Sequence, residues 1–375
     1  MASIARRPDG TYRPRFRDET GKEHARHFKR KVDAQRWLDE QTAAMVTGAY
    51  VDPRAGRMTF AEYAEQWRAT QVVRPTTGLA YERVLRRNVY PRLGTRPLAS
   101  IRPSEIQGLV AWLSTDADGR PALAPRTVRV TLSVTSAVFK SAVRDRRLVS
   151  NPCAGVRLPE IHKSRVQPLQ TSSVVALRDA MPPRWQAAVV LGAGTGVRQG
   201  ELLGLTVDRI DFLRRQTVVD RQLINLPGQA PQLAPVKTRA SVRTVPLPQT
   251  VVAALAEHLA AFPAESTGLV FVGDDGRPMM RSAWSGSVWR PAVKAAGLDF
   301  SVTFHALRHY YASLLIRHGE SVKTVQARLG HSSAAQTLDV YSHLWPDSDD
   351  RTRDAVDAVL GAVADSVRTA EGAQA

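Results

Sequence analysis

The sequence of 375 residues is almost without cysteine, since Cys153 is the only one. A single cysteine excludes a disulfide framework and a cysteine-based zinc site within one chain. Because Cys153 follows Asn151-Pro152 in a turn-like stretch, we expect it to be a small apolar filler. No run of 18 apolar residues is present, and the N-terminus lacks the apolar segment of a signal peptide. We therefore expect a cytoplasmic protein without membrane contact.

Acidic residues are scarce relative to basic ones. The chain has 52 Lys and Arg against 35 Asp and Glu, a net charge of +17 and a pI of ≈ 10.7. Such a balance favours a polyanionic partner, most often nucleic acid, although a compositional bias that serves solubility is the alternative. Apolar residues make up 43%, which is enough for real cores, and the length predicts two or three domains.

The pattern along the chain predicts three folded parts. Residues 1–55 are typical of a small α+β unit, with three short strands before one helix and a net charge of +4. Residues 56–158 are predicted to be all-α, and residues 56–160 have a net charge of +9, the largest of any segment. A proline-rich linker at 151–169 precedes a mixed α/β part at 168–346, which is mainly helical with a small antiparallel sheet.

Local signals support two of these assignments. In the first part Val32, Trp37, Leu38 and Met45 recur at helical spacing, and arginines alternate with apolar residues along the strands, so that one face could be cationic. In the second part Thr59 followed by Glu62 is a capping-box pattern. The last segment, 347–375, is net acidic. Its apolar stripe predicts a helix that docks on its own core or on a neighbouring subunit, with members Val356, Val359, Leu360, Val363 and Val367.

The stretch HALRHYYASLLI (305–316) raises the question of a metal site, because His305 and His309 share one face of a helix. Zinc proteases with this spacing need a glutamate after the first histidine, where this chain has Ala306. The inverted motif needs glutamate before the second histidine, where this chain has Arg308. A guanidinium there would repel a dication, so we expect no metal.

Motifs for other chemistries are missing as well. There is no Gly-x-Ser-x-Gly elbow, and GAGTGVRQGE lacks the ending of a phosphate-binding loop and the spacing of a dinucleotide fingerprint. A cationic cradle is the remaining hypothesis. Arginine guanidiniums neutralise the charge on phosphate oxygens. With a nucleophile, and an acid that protonates the leaving oxygen, a phosphodiester bond can then be cleaved without a metal. We therefore expect no cofactor.

Five motifs indicate the type of chemistry. Their order resembles that of the catalytic domain of the tyrosine recombinases, the phage-integrase family. They are TGVRQGELLGL (195–205), PVKTRASVRTVPL (235–247), HALRH (305–309), LGHSS (329–333) and TLDVYSHL (337–344). Upstream, the helical part is similar to the family's core-site-binding domain. The N-terminal part is similar to the arm-site-binding domain of larger integrases.

The resemblance implies roles for individual residues. Arg198 and Arg308 would bind the scissile phosphate, and Lys237 would protonate the departing 5′ oxygen. His305 and His331 would hydrogen-bond the phosphate and assist proton transfer. Tyr341 would be the nucleophile of a 3′-phosphotyrosyl intermediate, and a cationic pocket is expected to favour its phenolate.

Nearby residues receive lesser roles. Glu201 matches an acidic family position and is expected to orient Arg198, while His343 is a candidate for supporting the site. His309, Tyr310 and Tyr311 are interpreted as structural packing. The segment of Lys237 also offers Arg239 and Arg243, which leaves the identity of the acid open.

The resemblance further implies a site-specific recombinase that acts on double-stranded DNA at core sites and arm sites. It would assemble as a homotetramer, assisted by a DNA-bending or directionality accessory protein. The arm-like part favours the integrase of a mobile element over a chromosome- or plasmid-dimer resolvase. Two other classes stay open: a type IB topoisomerase-like enzyme and a DNA-binding protein without catalysis.

Overall fold

The structure is a computed structural model that describes residues 2–18, 21–46, 55–116, 121–161, 165–264 and 267–345, together with 353, 354, 356–358 and 360. The chain forms two compact units, residues 1–163 and 164–375. The boundary between them lies inside the stretch 151–169 that the sequence marks as a linker. The finer division of the chain into DNA-binding and catalytic parts stays a prediction.

The first unit opens with a three-stranded antiparallel sheet of order β1-β2-β3 and one helix. Its elements are β1 (Ser3–Arg6), β2 (Tyr12–Arg17), β3 (Glu23–Ala25) and α1 (Lys31–Val46). Phe16 of β2 is 2% exposed and packs on the Trp37 ring, while Ala34 and Leu38 form the buried face of α1. The predicted strands and helix are confirmed, with a shorter third strand. Val32 was wrongly placed on the buried face, because it is 67% exposed.

The rest of the first unit is helical, as predicted. Its α-helices are α2 (Phe60–Ala69), α3 (Pro75–Val84), α4 (Tyr90–Leu93), α5 (Pro103–Ser114) and α6 (Pro125–Arg144), and a π-helical turn at Leu85–Val89 joins α3 to α4. Phe60 of α2 and Phe139 of α6 meet in the core, with ring centroids 5.1 Å apart. Cys153 is buried in the same core, which confirms its role as a filler.

The capping box predicted at the start of α2 is present. The Thr59 amide donates to Glu62 Oε2 at 2.9 Å, and the Glu62 amide donates to Thr59 Oγ1 at 3.3 Å. Both bonds satisfy amides that have no partner inside the helix. The cap fixes where α2 begins.

The second unit is mainly helical and carries two small antiparallel sheets, of order β4-β5-β8 and β6-β7. Its helices are α7 (Thr171–Asp179), α8 (Pro183–Thr195), α9 (Gln199–Leu203), α10 (Gln249–Ala261), α11 (Arg281–Trp284), α12 (Arg290–Ala295), α13 (His305–Arg317), α14 (Val322–Leu329) and α15 (Ala334–Tyr341). Its strands are β4 (Ile210–Asp211), β5 (Gln216–Val219), β6 (Arg221–Ile224), β7 (Gln232–Pro235) and β8 (Arg243–Pro246).

Helix α8 lies between α10 and α13 in the core of the second unit. An aromatic cluster continues this core, in which Trp284 contacts the rings of Trp185, Trp289 and Phe304 at centroid distances of 5.5–5.7 Å. The interior fixes the position of α13, the helix that begins at His305. No helix among the described residues is long and apolar enough to cross a membrane.

Two features at the C-terminal end differ from the sequence prediction: one helix was not predicted, and the predicted apolar stripe is described only in part. Helix α15 was not predicted as a helix; it begins after Ser333, whose side chain accepts a hydrogen bond from the Gln336 amide. In the predicted apolar stripe, Val359, Val363 and Val367 lie outside the described residues. Val356 and Leu360 are 48% and 63% exposed.

The cap of α2 gives a test of local stability. Thr59→Ala removes the side-chain acceptor of the capping box, and we expect it to lower the free energy of unfolding by about 1 kcal/mol. Urea unfolding of the full chain would measure the change. The control is Thr76→Ala, the same substitution at an exposed helical position of α3, where we expect no loss. Equal losses in both variants would contradict a role for the cap.

Candidate active site

Helix α13 carries a fully buried arginine. Arg308 is 1% exposed, and its guanidinium donates to the Gly196 carbonyl at 2.7 Å and to the Leu329 carbonyl. Burial first, and then the positive charges of Arg198 and Arg243, lower the pKa of Arg308 to about 9. The guanidinium is therefore still charged at neutral pH. Both carbonyls lie at helix C-termini, where the helix dipole stabilises a cation.

Two glycines shape these helix ends. Gly196 ends α8 with φ 64°, and a Cβ there would lie 2.6 Å from Tyr311 Cδ1. Gly330 ends α14 with φ 63°. Left-handed backbone favours glycine and turns the last carbonyls away from the helix axis. The two turns present their carbonyls to the arginines.

Three successive carbonyls at the end of α14 each accept from a different arginine. Arg243 Nε donates to the carbonyl of residue 328 at 2.8 Å, Arg308 donates to that of residue 329, and Arg198 donates to that of residue 330 at 3.2 Å. Arg198 comes from the start of α9, Arg243 from β8 and Arg308 from α13. The second unit therefore assembles one cationic cluster from distant sequence positions, which we call the arginine cluster (Arg198, Arg243 and Arg308).

A single buried carboxylate pairs with two members of the arginine cluster. Glu201 is 5% exposed, and it accepts from the Arg198 guanidinium at 2.7 Å and from the Arg243 guanidinium at 2.8 and 3.3 Å. Burial acts to raise the pKa of Glu201, but the charge and hydrogen bonds of Arg243 and then Arg198 outweigh it, so the pKa is lowered. The contact predicted between Glu201 and Arg198 is present.

Two predicted histidines lie by the arginine cluster and are neutral at pH 7. His331 is 8% exposed, its Nδ1 lies 2.9 Å from Thr337 Oγ1, and its pKa is lowered to about 3 by burial and by Arg308 and Arg198. His305 is more accessible than His331. Loss of water around its ring, and then the charges of His309 and Arg308, lower its pKa to about 4. Neutral imidazoles offer N–H donors without adding positive charge.

Tyr341 ends α15 and is 1% exposed. Its hydroxyl lies 2.8 Å from His309 Nδ1, and its ring stacks on His331 with centroids 6.5 Å apart. Burial raises the pKa of Tyr341 to about 12, and Arg308 offsets this only in part. The expectation that packed cations would favour the phenolate was therefore wrong for this conformation, because loss of water outweighs the nearby charge.

Two other predicted residues form no hydrogen bond or ion pair with the arginine cluster. Lys237 follows β7 in an exposed segment and has no hydrogen bond or ion pair to any described residue. His343 is exposed, and its Nε2 lies 2.9 Å from the Val166 carbonyl. Among the described residues, its hydrogen bond joins the segment before α7, and no bond to the site supports the predicted role. Tyr310 and Tyr311 are buried, as expected for packing residues.

The sequence interpretation missed the roles of two residues. Arg243 was considered only as a substitute for Lys237, yet it is 8% exposed and pairs with Glu201. Its position in β8 was the available signal, since it alternates inward with the buried Val245. His309 was assigned to packing, yet it is the residue that contacts the Tyr341 hydroxyl. Its spacing of four from His305 could have placed it on the site face.

A metal is not suggested by this geometry. Within the described residues, no group of three or more His, Cys, Asp or Glu side chains could hold a metal ion. The rings of His305 and His309 meet edge to face with centroids 4.7 Å apart, and His309 Nδ1 is already bonded to Tyr341. The arrangement instead suits an anion that two or three guanidiniums bind beside a tyrosine.

Comparison with known families identifies the class of protein to which the chain belongs. Residues 167–347 match the phage integrase family, and residues 59–113 match the N-terminal SAM-like domain of phage integrases. The chain belongs to the phage integrase family and is therefore a tyrosine recombinase. It has the family's multidomain fold, with a SAM-like helical domain before the catalytic domain.

Individual relatives agree with this assignment. The chain is 30% identical over 269 residues to the tyrosine recombinase XerD of Corynebacterium glutamicum, covering 68% of this chain and 82% of that protein. It is 25% identical over 331 residues to the integrase of Mycobacterium phage D29, covering 84% of each. A structure of the Tn1549 transposon integrase with circular intermediate DNA matches with a TM-score of 0.68 at 25% identity, over 80% of this chain and all of that one.

The buried carboxylate gives a second test. Glu201→Gln leaves two guanidiniums without their counter-charge, and we expect it to lower the free energy of unfolding by about 3 kcal/mol at pH 7. The wild-type advantage should be full above the ordinary carboxyl pKa of 4.5 and should be lost as the pH falls through the lowered pKa of the folded protein. Urea unfolding at several pH values would measure it.

The control for that test is Glu257→Gln, at an exposed position of α10 without an ion pair to a described residue. We expect a change within about 0.5 kcal/mol at any pH. A small effect of Glu201→Gln that matches the control would contradict the carboxylate's part in holding the arginine cluster.

Proposed function

We propose that this protein is a site-specific DNA recombinase that cuts and rejoins strands through a 3′-phosphotyrosyl intermediate, in the integration of a phage or other mobile element. One observation carries the proposal: guanidiniums from α9, β8 and α13 converge on one helix end, beside a tyrosine at the end of α15. The family membership supports the same reaction class.

The charge of the site supports phosphoryl transfer. Three guanidiniums against the one carboxylate of Glu201 leave two positive charges, with His305 and His331 neutral. A phosphodiester carries one negative charge, and a second develops as the attacking oxygen adds to phosphorus. Preorganised cations stabilise that developing charge more than the ground state.

The proposed roles follow the motif positions. Arg198 and Arg308 bind the non-bridging oxygens, and Tyr341 attacks phosphorus. His305 and His331 donate hydrogen bonds to the phosphate as neutral imidazoles. Lys237 protonates the departing 5′ oxygen. Its exposed segment between β7 and the turn at Arg239–Ser241 leaves its ammonium free to reach a bound strand.

The helical part of the first unit is proposed to hold the core site. Arg126, Arg129 and Lys140 recur along one exposed side of α6, and none has an ion pair to a described residue. Arg86, by contrast, is paired with Glu82 at 2.9 Å. Unpaired cations on one helix side suit a phosphate backbone.

The remaining assignments rest on the same resemblance. Residues 1–55 are proposed to bind arm sites, and Arg15 and Arg17 lie exposed on one face of β2. Four copies would act on two duplexes in the cytoplasm, with residues 347–375 as a contact between subunits. A DNA-bending or directionality protein would assist. The catalytic domain is proposed to span residues 168–346.

The nucleophile is tested with DNA from beside the protein's own gene. A supercoiled plasmid pool that carries this DNA should form a denaturant-resistant protein–DNA adduct in EDTA. Tyr341→Phe should abolish the adduct, because it removes the attacking oxygen, and a denaturing gel would measure it. The control is Tyr311→Phe, at a buried tyrosine of α13, which should keep the adduct. An adduct with Tyr341→Phe would assign the chemistry to another residue.

The proposed DNA-binding surface of α6 is tested by the salt dependence of binding to the same DNA. Affinity should fall steeply between 50 and 200 mM salt, by about 10³-fold or more, since bound counterions are released from each contacted phosphate. Arg129→Ala should lower the slope of log K against log salt by about 1. Arg86→Ala, in which a paired arginine is removed, is the control and should change the slope less. An affinity that does not change with salt would contradict phosphate binding by this surface.

A further inference from the structure

The hydroxyl of the proposed nucleophile has a nitrogen base as its partner. Tyr341 Oη and His309 Nδ1 lie 2.8 Å apart, and the tyrosine side chain is almost entirely shielded from water. We propose that His309 is a catalytic residue, the base that takes the phenolic proton of Tyr341 during cleavage and returns it during rejoining. This inference rests on the proposed function, because it assigns a proton route to that same reaction.

The structure gives a reason for a base. Burial raises the pKa of Tyr341 to about 12, so the phenol is protonated at neutral pH. The charge of Arg308 offsets this only in part and does not restore the ordinary value. A neutral phenol is a poor nucleophile, and an adjacent acceptor that removes its proton during attack lowers the barrier.

His309 is in the protonation state that a base requires. Burial and then the charge of Arg308 lower its pKa below 6.5, so the imidazole is neutral at pH 7. With its proton on Nε2, the ring presents the Nδ1 lone pair to the tyrosine hydroxyl. The titratable groups around it are His305 and Arg308 on its own helix and Tyr341 on α15. His343, in the turn after α15, is bonded to the Val166 carbonyl.

The other two histidines are less suited to this step. His331 Nδ1 is bonded to Thr337 Oγ1, and its ring lies flat against the Tyr341 ring, with an interplanar angle of 11°. His305 contacts the edge of His309 and has no hydrogen bond to Tyr341 in the described structure. Their pKa values are lowered to about 3 and about 4, which makes them weak bases.

The proton and electrons balance without a further reactant. The O–H bond of Tyr341 breaks as its proton moves to His309 Nδ1, and the freed electron pair forms the bond to phosphorus. The phosphorus–O5′ bond breaks, and Lys237 supplies the proton to that oxygen. In rejoining, the 5′ hydroxyl returns its proton to Lys237 as its oxygen attacks the phosphotyrosine, and His309 gives its proton back to the departing phenolate.

The test separates a base from a group that only positions the tyrosine. His309→Asn places an amide near the site of Nδ1, so it keeps a hydrogen-bond acceptor but has no basicity. The probe is the flanking-DNA plasmid pool of the adduct assay, and the readouts are DNA affinity and the single-turnover rate of adduct formation between pH 5.5 and 9. His318→Asn, at the exposed end of α13, is the matched control.

We expect His309→Asn to bind DNA as the wild type does and to cleave about 100-fold or more slowly at pH 7. The wild-type rate should fall only as the pH drops through the lowered pKa of His309. The variant rate should instead keep rising with pH, as solvent ionises the tyrosine, so that the gap narrows. His318→Asn should follow the wild-type profile.

Two results would overturn the inference, and they differ from failure of the proposed function. A His309→Asn rate within about threefold of wild type, with an unchanged pH profile, would reduce His309 to a positioning residue. Unchanged cleavage by His309→Ala would remove even that role. An adduct that survives Tyr341→Phe, or no adduct from wild type, would instead reject the proposed function itself.

Discussion

The candidate site depends on one helix end. Three main-chain carbonyls, those of residues 328–330, hold the guanidiniums of Arg198, Arg243 and Arg308. Three like charges close together repel, and a burial as deep as that of Arg308 is costly for a cation. Fixed carbonyl dipoles at the helix end offset this cost without neutralising the charge. The cluster therefore stays cationic and stays in place without a bound anion.

Glu201 sets how much charge remains. One carboxylate between Arg198 and Arg243 removes a single unit of charge and leaves Arg308 to be held by carbonyls alone. A second carboxylate would leave only one positive charge in the cluster, and the absence of any carboxylate would leave the arginines mutually repelled. The net positive charge that remains also explains why the neighbouring histidines are neutral, because an imidazolium would add to the repulsion. Arginines thus supply the charge, and the histidines supply directional donors.

Sequence patterns predicted most of this architecture, and their failures have physical causes. Helices with strong periodicity or caps, such as α2, were predicted because their signals are local. Motif spacing named Arg198, Arg308 and Tyr341 but gave no distances between them. The pairing of Arg243 with Glu201 joins residues 42 positions apart, and that of His309 with Tyr341 joins residues 32 apart. Such contacts depend on how α9, β8, α13 and α15 pack, which the chain order alone does not determine.

The environment of the tyrosine was the hardest feature to foresee, and it bears on how cleavage is controlled. Nearby cations and burial act on the phenol in opposite directions, and only the packed structure decides that burial prevails. A phenol kept neutral and shielded is inert towards chance electrophiles. Under the proposed mechanism, its reactivity would require two events together: a phosphate held by the arginines and a base in contact with the hydroxyl. Attack would thereby be tied to a bound strand, because in the proposed mechanism the arginine cluster stabilises the charge that develops on phosphorus.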